Sequence, residues 1–372
     1  MSHVLFSAYQ HLKERIPYLS LGTFPTPVER LAGLEGSLRS GDIFIKRDDK
    51  SSDEYGGNKV RKLEFILAEA VAQEKKHTIT FGYAGSNHSL AVAVFAKRLG
   101  LEPVSLHIPQ PNAAYVRKNL LFQEYLGTEL HHYRNMASIY AGTILVFVKC
   151  FLKTGKLPYV IPPGGSNVLG MMGMVGAVLE LQEQVDRGLV PKPDLLYLPL
   201  GSCGSAAGIA LGMKALGWKT RIKAVRVSER KGSDARTVQG LFYGAAKRLR
   251  WLLPSFPAVE LGEGDFEVYE GYLGDGYAHF TKEGMEAVRR LEESDGIKLE
   301  GTYSGKAMAA LIDDAAEGKL ENKVTLFWNT YNSVDFGEKL QGVDFRRLPR
   351  AYHAYFTDDD QPLEIPTGKE GP

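Results

Sequence analysis

The feature that most constrains this chain is a long alternation of β-like and α-like segments. Short apolar runs such as PVSLHI at 103–108, LLYLPL at 195–200, RIKAVRVS at 221–228 and KVTLFW at 323–328 are separated by stretches with helical spacing. A strand that returns parallel to its predecessor needs a crossover, usually a helix, so the alternation predicts an α/β protein with largely parallel sheets covered on both faces. Leu63, Ile66, Leu67 and Ala70 are spaced for a helix; a strand at about 78–82 then leads through AGSNH into a helix over about 89–99 that stops at Gly100. Further helices are expected over about 113–126, 136–152, 283–293 and 305–317, from Val168, and ending near Gly217, with short strands near 129–132 and 159–161. The segment 231–282 is rich in glycine and aromatics, has weak periodicity and predicts little regular structure. No internal repeat is present.

Composition narrows the class. The 372 residues, 44% of them hydrophobic, suffice for a large core and for two domains. A formal net charge of +1 provides no broad electrostatic footprint for nucleic acid or an anionic membrane, so neither is expected as a partner. Two cysteines, Cys150 and Cys203, can form neither a disulfide framework nor a cysteine metal cluster, which fits a reducing compartment. His131-His132 does not fit a ligand pattern, and no metal is assigned. The N-terminus lacks the segments of a signal peptide, so a cytoplasmic protein is expected. The most apolar run, 137–152, is shorter than a membrane span, carries Lys149 and predicts a buried helix. Residues 356–372, polar and proline-containing, are expected to form a mobile tail.

The chemistry gathers where strands end. In open α/β sheets ligands sit outside the carboxyl ends of strands, and here those ends carry AGSNH, PPGGSN, LGSCGSAAG and WNTYNS, expected to line one crevice. The loop GSCGSAAG at 201–208 follows a strand and opens a helix, so its N–H groups make a cradle for an anion, phosphate above all. Its spacing matches neither G-x-G-x-x-G nor the Walker loop, which argues against a nicotinamide or a nucleoside triphosphate. Taken alone, such a loop is equally a tight turn of small residues. In EYGGNKVRKLEF at 54–65, two glycines and an amide place Lys59 at a helix start, where the positive end of the helix dipole lowers a lysine pKa. An isolated lysine there is ordinarily a surface residue. An amine on one loop and a phosphate cup on another are together what pyridoxal phosphate requires.

At this point the chain resembles a known family. KRDDKSSDEYGGNKVRKLEFILAEA at 46–70, GSNH at 85–88, YVIPPGGSNVLGMMG at 159–173, GSCGSAAG at 201–208, GYLGDGY at 271–277 and TYSGKAMAALID at 302–313 are similar to the 1-aminocyclopropane-1-carboxylate deaminases and D-cysteine desulfhydrases. These are pyridoxal-phosphate enzymes of fold type II, the tryptophan-synthase-β class. The resemblance runs from PTPVERL at 25–31 to about residue 330. It implies that Lys59 carries the cofactor and moves the substrate α-proton, with Asn58 positioning it. It further implies that Asn87 lies beside the ring and its 3-oxygen, that Ser86 meets the substrate carboxylate or reacting carbons, and that His88 accompanies them. Gly201, Ser202, Cys203, Gly204 and Ser205 would hold the phosphate, with Cys203 a small loop residue rather than a nucleophile. Tyr277 and Tyr303 match two active-site tyrosines, and Thr330 would help contact the ring. Ser304 falls where the deaminases carry a glutamate and the desulfhydrases a threonine, facing the ring nitrogen. A hydroxyl there suits a neutral nitrogen and a weaker electron sink, which favours β-elimination over ring opening. The chain departs from the family at Gly85, Ser89 and Leu90, and at Asn329, Tyr331 and Asn332 in the WNTYNS loop.

The resemblance thus implies a fold of two three-layer αβα domains. Residues 1–60 and 166–355 would form the larger, cofactor-binding domain and 61–165 a smaller inserted one, in a homodimer. The expected activity is a lyase acting on a small amino acid, most specifically D-cysteine to pyruvate, sulfide and ammonia. Alternatives are 1-aminocyclopropane-1-carboxylate deamination, a racemase, isomerase or β-replacement enzyme on the same scaffold, and a non-catalytic cofactor- or amino-acid-binding protein.

Overall fold

The computed structural model describes residues 3–364, which fall into two compact units: 3–65 with Ser166–Val334, and Ile66–Gly165 with 335–364. The larger unit holds a six-stranded sheet built from β1 (Val28–Arg30), β2 (Ile43–Arg47), β7 (Leu195–Leu200), β8 (Arg221–Arg226), β9 (Phe266–Tyr269) and β10 (Thr325–Asn329), in the order β1-β2-β10-β7-β8-β9. Only the β1–β2 pair is antiparallel.

Residue alternation along these strands makes the layers. Leu196, Leu198, Leu200, Leu326 and Trp328 face one core, packed by the helices Val168–Asp186, Gly204–Ala215 and Ala235–Leu252. Leu195, Tyr197 and Phe327 face the other, with the helices Lys282–Asp295 and Ser304–Ala316. Because side chains alternate faces along a strand, one buried run stocks both cores.

The smaller unit is a four-stranded, wholly parallel sheet of β3 (His77–Tyr83), β4 (Glu102–Ile108), β5 (Glu129–His132) and β6 (Tyr159–Ile161), in the order β5-β4-β3-β6. Counting the helices of twelve residues or more, α1 is Lys59–Ala72, α2 Asn87–Arg98, α3 Ala114–Tyr125, α4 Met136–Thr154, α5 Val168–Asp186, α6 Gly204–Ala215, α7 Ala235–Leu252, α8 Lys282–Asp295 and α9 Ser304–Ala316.

Several expectations are corrected. The segment 231–282 contains α7, eighteen residues capped by Asp234, whose side chain accepts from Thr237 N–H, and β9. Val238, Phe242, Ala245, Leu249 and Leu252 are its buried stripe, a helical periodicity masked by the surrounding glycines. Helix α4 is only partly buried: Ile139, Val146 and Cys150 pack on Ile79, Val104 and Leu106, while Ile144, Leu145 and Leu152 are 66%, 72% and 78% exposed. Its segment Ala137–Thr154 is long and apolar enough to cross a membrane by composition, with 22% of it buried.

Residues 335–355, expected with the larger domain, group instead with the smaller unit. Phe336 stacks on Phe122 with ring centroids 4.5 Å apart, and the Tyr352 hydroxyl lies 3.0 Å from His107 Nδ1. The first part of the expected tail is also packed. Phe356 stacks on Phe345, Arg117 makes a two-pronged ion pair with Asp360, and Gln361 N–H donates to Asn112 O at 3.0 Å. Aromatic side chains scattered through a polar stretch anchor it, and composition averages them away. Residues 365–372 lie outside the described residues.

Candidate active site

Lys59 opens α1 immediately after a turn that only glycine fits. A carbon added at Gly56 would stand 2.0 Å from Asp49 O, and Gly57 has φ +97° with its N–H bonded to Asp48 O at 2.8 Å. The WNTYNS loop braces this turn: Gly56 N–H donates to Asn332 Oδ1 at 2.7 Å, and the Thr330 and Tyr331 carbonyls abut Gly57. Two residues on, Arg61 ties the helix start down, with Nη2 at 2.7 Å from Asp48 Oδ1 and Nη1 at 2.9 Å from Glu180 Oε2, in a buried ionic network. Breaking one partner of such a network costs about 3–5 kcal/mol, which fixes the helix start firmly.

The Lys59 amine donates to Asn58 Oδ1 at 2.8 Å, and Asn58 Nδ2 donates to Ser205 Oγ at 2.8 Å. A hydrogen-bonded chain thus runs from the amine to the glycine-rich loop. Burial lowers the Lys59 pKa to about 8, with the charge of Glu300 opposing. Desolvation is therefore the main cause, where the sequence pointed to the helix dipole. Lys62, one turn on and buried, has its amine pushed well below the ordinary value by burial and by Lys59.

The loop Gly201–Ser205 lies at the end of β7 and opens α6. Cys203 is the N-cap in the left-handed region, φ +65°, and makes no side-chain cap; such strain in a non-glycine residue concentrates at ligand sites. Its thiol is raised to about 12, chiefly by burial, so it is no nucleophile at neutral pH. Ser166, from the PPGGSN loop, donates to Ser202 Oγ at 2.9 Å and accepts from Gly204 N–H at 3.2 Å. A side chain at Gly204 would strike Ser166, whereas one at Gly201 would meet only Tyr303 Cε1, at 3.6 Å.

Tyr303 stands at the N-cap position of α9 without capping it, and its hydroxyl contacts that of Tyr277, the rings meeting edge-on at 5.9 Å. Ser304, fully buried, does not stand as an isolated hydroxyl: its Oγ lies 3.2 Å from Glu300 Oε1. Burial raises the Glu300 carboxyl against the opposing hydrogen bonds from Ser304, Thr302 and Tyr303.

Ser86, Asn87 and His88 belong to the smaller unit, at the β3–α2 junction. Ser86 Oγ caps α2 by accepting from Ser89 N–H at 3.2 Å, and His88 is buried. Asn119 on α3 donates to Asn87 Oδ1 and to Gly85 O, each at 2.9 Å, while Gly85 N–H reaches Gln110 Oε1 at 2.8 Å.

The larger unit therefore brings together Lys59, Asn58, the 201–205 loop, Tyr277, Tyr303, Ser304 and Thr330. Sequence reasoning missed Ser166, Glu300, Asn119 and Lys62. Ser166 and Lys62 lay in quoted stretches; Glu300 and Asn119 lay in none. Backbone donors and serines at one end of the Asn58 chain and a desolvated amine at the other suit a ligand with a phosphate and an aldehyde, the donor set for pyridoxal phosphate.

Comparison with known proteins agrees. The model of a family described as pyridoxal-phosphate dependent enzyme matches residues 19–330. A D-cysteine desulfhydrase of Klebsiella pneumoniae (strain 342) is 33% identical over 314 residues, 83% of this chain and 92% of its own. A Pyrococcus horikoshii protein provisionally named 1-aminocyclopropane-1-carboxylate deaminase is 30% identical over 336 residues, 88% of this chain and 97% of its own. The crystal structure of an ACC deaminase homologue superposes with a TM-score of 0.75 at 28% identity, covering 92% of this chain and all of the other. The fold is that of the type II enzymes, and the chain belongs to the pyridoxal-phosphate dependent enzyme family.

Proposed function

We propose that the protein is a β-eliminating lyase for a small D-amino acid carrying a good leaving group, with D-cysteine plus water giving pyruvate, hydrogen sulfide and ammonia. The observation that carries the reading is the Lys59–Asn58–Ser205 chain, which links a desolvated amine to the glycine-rich loop. The identity to a D-cysteine desulfhydrase over most of both chains supports the choice of substrate.

Bound pyridoxal phosphate supplies the electron sink that makes removal of the substrate α-proton feasible. Gly201, Ser202, Cys203, Gly204 and Ser205 would hold its phosphate, with Ser166 shaping the loop. Lys59 Nζ would hold the cofactor and would act as the base for the substrate α-proton; a pKa near 8 leaves a useful neutral fraction at physiological pH. Asn58 fixes the amine's direction. The Tyr277 and Tyr303 hydroxyls, in contact with each other, would hand a proton to the departing thiolate. Ser86 receives the substrate carboxylate, with His88 near it, while Asn87, its amide orientation set by Asn119, serves the ring 3-oxygen. Ser304 meets the ring nitrogen and Thr330 the ring.

In this reading the enzyme is cytoplasmic, in line with two free, buried cysteines, and a homodimer, a use for the exposed apolar face of α4. The test is the visible absorbance band of the purified protein with added pyridoxal phosphate, followed by D-cysteine. A band that is lost in Lys59→Ala, with sulfide and pyruvate released by the unsubstituted protein, is expected. A band without 2-oxo acid from D-cysteine, D-serine or β-chloro-D-alanine overturns the elimination, and release of 2-oxobutyrate from 1-aminocyclopropane-1-carboxylate would put ring opening in its place.

A further inference from the structure

Glu300 belongs to none of the recognised motifs, yet its carboxyl gathers donors from three successive residues at the start of α9. It lies one turn ahead of Ser304. Its Oε2 accepts from Thr302 N–H at 2.8 Å; its Oε1 accepts from Tyr303 N–H and Ser304 N–H, each at 2.8 Å, and from the Ser304 hydroxyl at 3.2 Å. A backbone N–H can only donate, so both oxygens are held as acceptors and the site is built for a carboxylate. Burial raises the carboxyl, and the hydrogen bonds from Ser304, Thr302 and Tyr303 are what oppose it and favour the charged form, with Lys59 and Lys306 nearby.

Ser304 is equally constrained. Its Oγ accepts from Glu300 N–H at 3.0 Å, and its hydrogen has Glu300 Oε1 at 3.2 Å and Glu300 O at 3.4 Å as acceptors, the carboxylate being the nearer and the charged one. A hydroxyl has one hydrogen and two lone pairs. With the hydrogen and one pair committed to Glu300, only a lone pair is left for a ligand. A lone pair accepts from a protonated pyridine nitrogen and repels an unprotonated one.

We propose that Glu300 acts through Ser304 to keep the ring nitrogen of bound pyridoxal phosphate protonated, a two-residue relay doing indirectly what a carboxylate in direct contact would do. This rests on the reading of Ser304 as the partner of the ring nitrogen. Glu300 is thereby a positioning residue, and the serine at 304 does not imply a weak electron sink. Substrates with poorer leaving groups than thiolate come within chemical reach.

The experiment is 15N NMR of the holoenzyme reconstituted with pyridoxal phosphate labelled at the ring nitrogen. The unsubstituted enzyme is expected at the pyridinium position, with Glu300→Gln and Ser304→Ala each moving the signal to that of unprotonated pyridine. A pyridinium signal unchanged in Glu300→Gln overturns the relay and leaves Glu300 as the cap of α9. Ser304→Ala keeps the bonds from Thr302 and Tyr303 to Glu300, so it decides the matter even where Glu300→Gln fails to fold: a signal unmoved in that variant overturns the proposal. If no visible band forms with pyridoxal phosphate, the functional reading itself fails. A band whose ring nitrogen is already unprotonated in the unsubstituted enzyme overturns this inference alone.

Discussion

Two helix starts in this molecule look alike in sequence and are put to opposite use. Both α2 and α6 follow a parallel strand through a short glycine-serine loop, AGSNH in one case and GSCGS in the other. At α2 the loop consumes its own polar groups: Ser86 caps the helix, Asn119 takes up Gly85 O and Asn87 Oδ1, and Gln110 receives Gly85 N–H. At α6 the N-cap Cys203 is held in a left-handed conformation and caps nothing. The difference teaches that a small-residue loop suits an anion when its N-cap side chain leaves the helix start uncapped, since the dipole and the following N–H groups then favour an outside partner. A capped loop instead holds its side chains still.

The sharpest way to break this comparison is to crowd both loops. Gly204→Val places a carbon 2.5 Å from Ser166 Oγ and forces the cradle apart. Overpacking of this kind costs about 1–3 kcal/mol, so pyridoxal phosphate binding, titrated by its visible band, is expected to weaken about 10- to 100-fold. Unaltered binding would show that the loop is not the cradle.

Gly85→Ala is just as crowded, with Val116 Cγ2 at 2.8 Å and Gln110 Nε2 at 3.0 Å. Here urea unfolding is expected to show a loss of about 1–3 kcal/mol with cofactor affinity unchanged. An affinity loss matching that of the Gly204 variant would erase the distinction.

Ser86 separates cap from chemistry. Ser86→Ala is expected to cost about 1 kcal/mol of stability and also to lower kcat/KM. Ser86→Asp keeps a capping oxygen, so it should recover the stability without the turnover; recovery of both would reduce Ser86 to a cap.

A separate effect is one of pH. Below about pH 8 the Lys59 amine is charged in the folded and unfolded chains alike, and its burial penalises the fold. Between about 8 and the ordinary 10.5 the folded chain has released a proton that the unfolded chain still holds, so the cofactor-free protein gains stability as pH rises. Lys59→Met should lack that increment in thermal unfolding across the same window; an identical pH slope in both would place the lysine pKa elsewhere.

The arrangement of parallel strands was legible because buried strands and their crossover helices repeat a pattern that local chemistry imposes. Lys59 and the 201–205 loop were legible for a similar reason: glycines mark places where the backbone must bend or come close, and a lysine or a strand end beside them is readable from neighbours in the chain. Helix α7 was missed although its stripe was present, because glycines and aromatics in the window diluted it. The packed stretch from Phe336 to Gln361 was missed because single aromatics at wide spacing, Tyr352 among them, find partners only in three dimensions.

By itself the sequence determined the fold class and marked the lysine and the glycine-rich loop as candidates, all properties of short contiguous segments. Tertiary structure alone decided which groups act on one another. It placed Ser166 against Gly204, Asn119 against Asn87, and the Glu300 carboxyl behind Ser304, so that a residue pointing by type to a neutral ring nitrogen has an acid hydrogen-bonded at its back. Hydrogen-bond direction and desolvation depend on what surrounds an atom, and for these residues the surroundings are assembled by the fold.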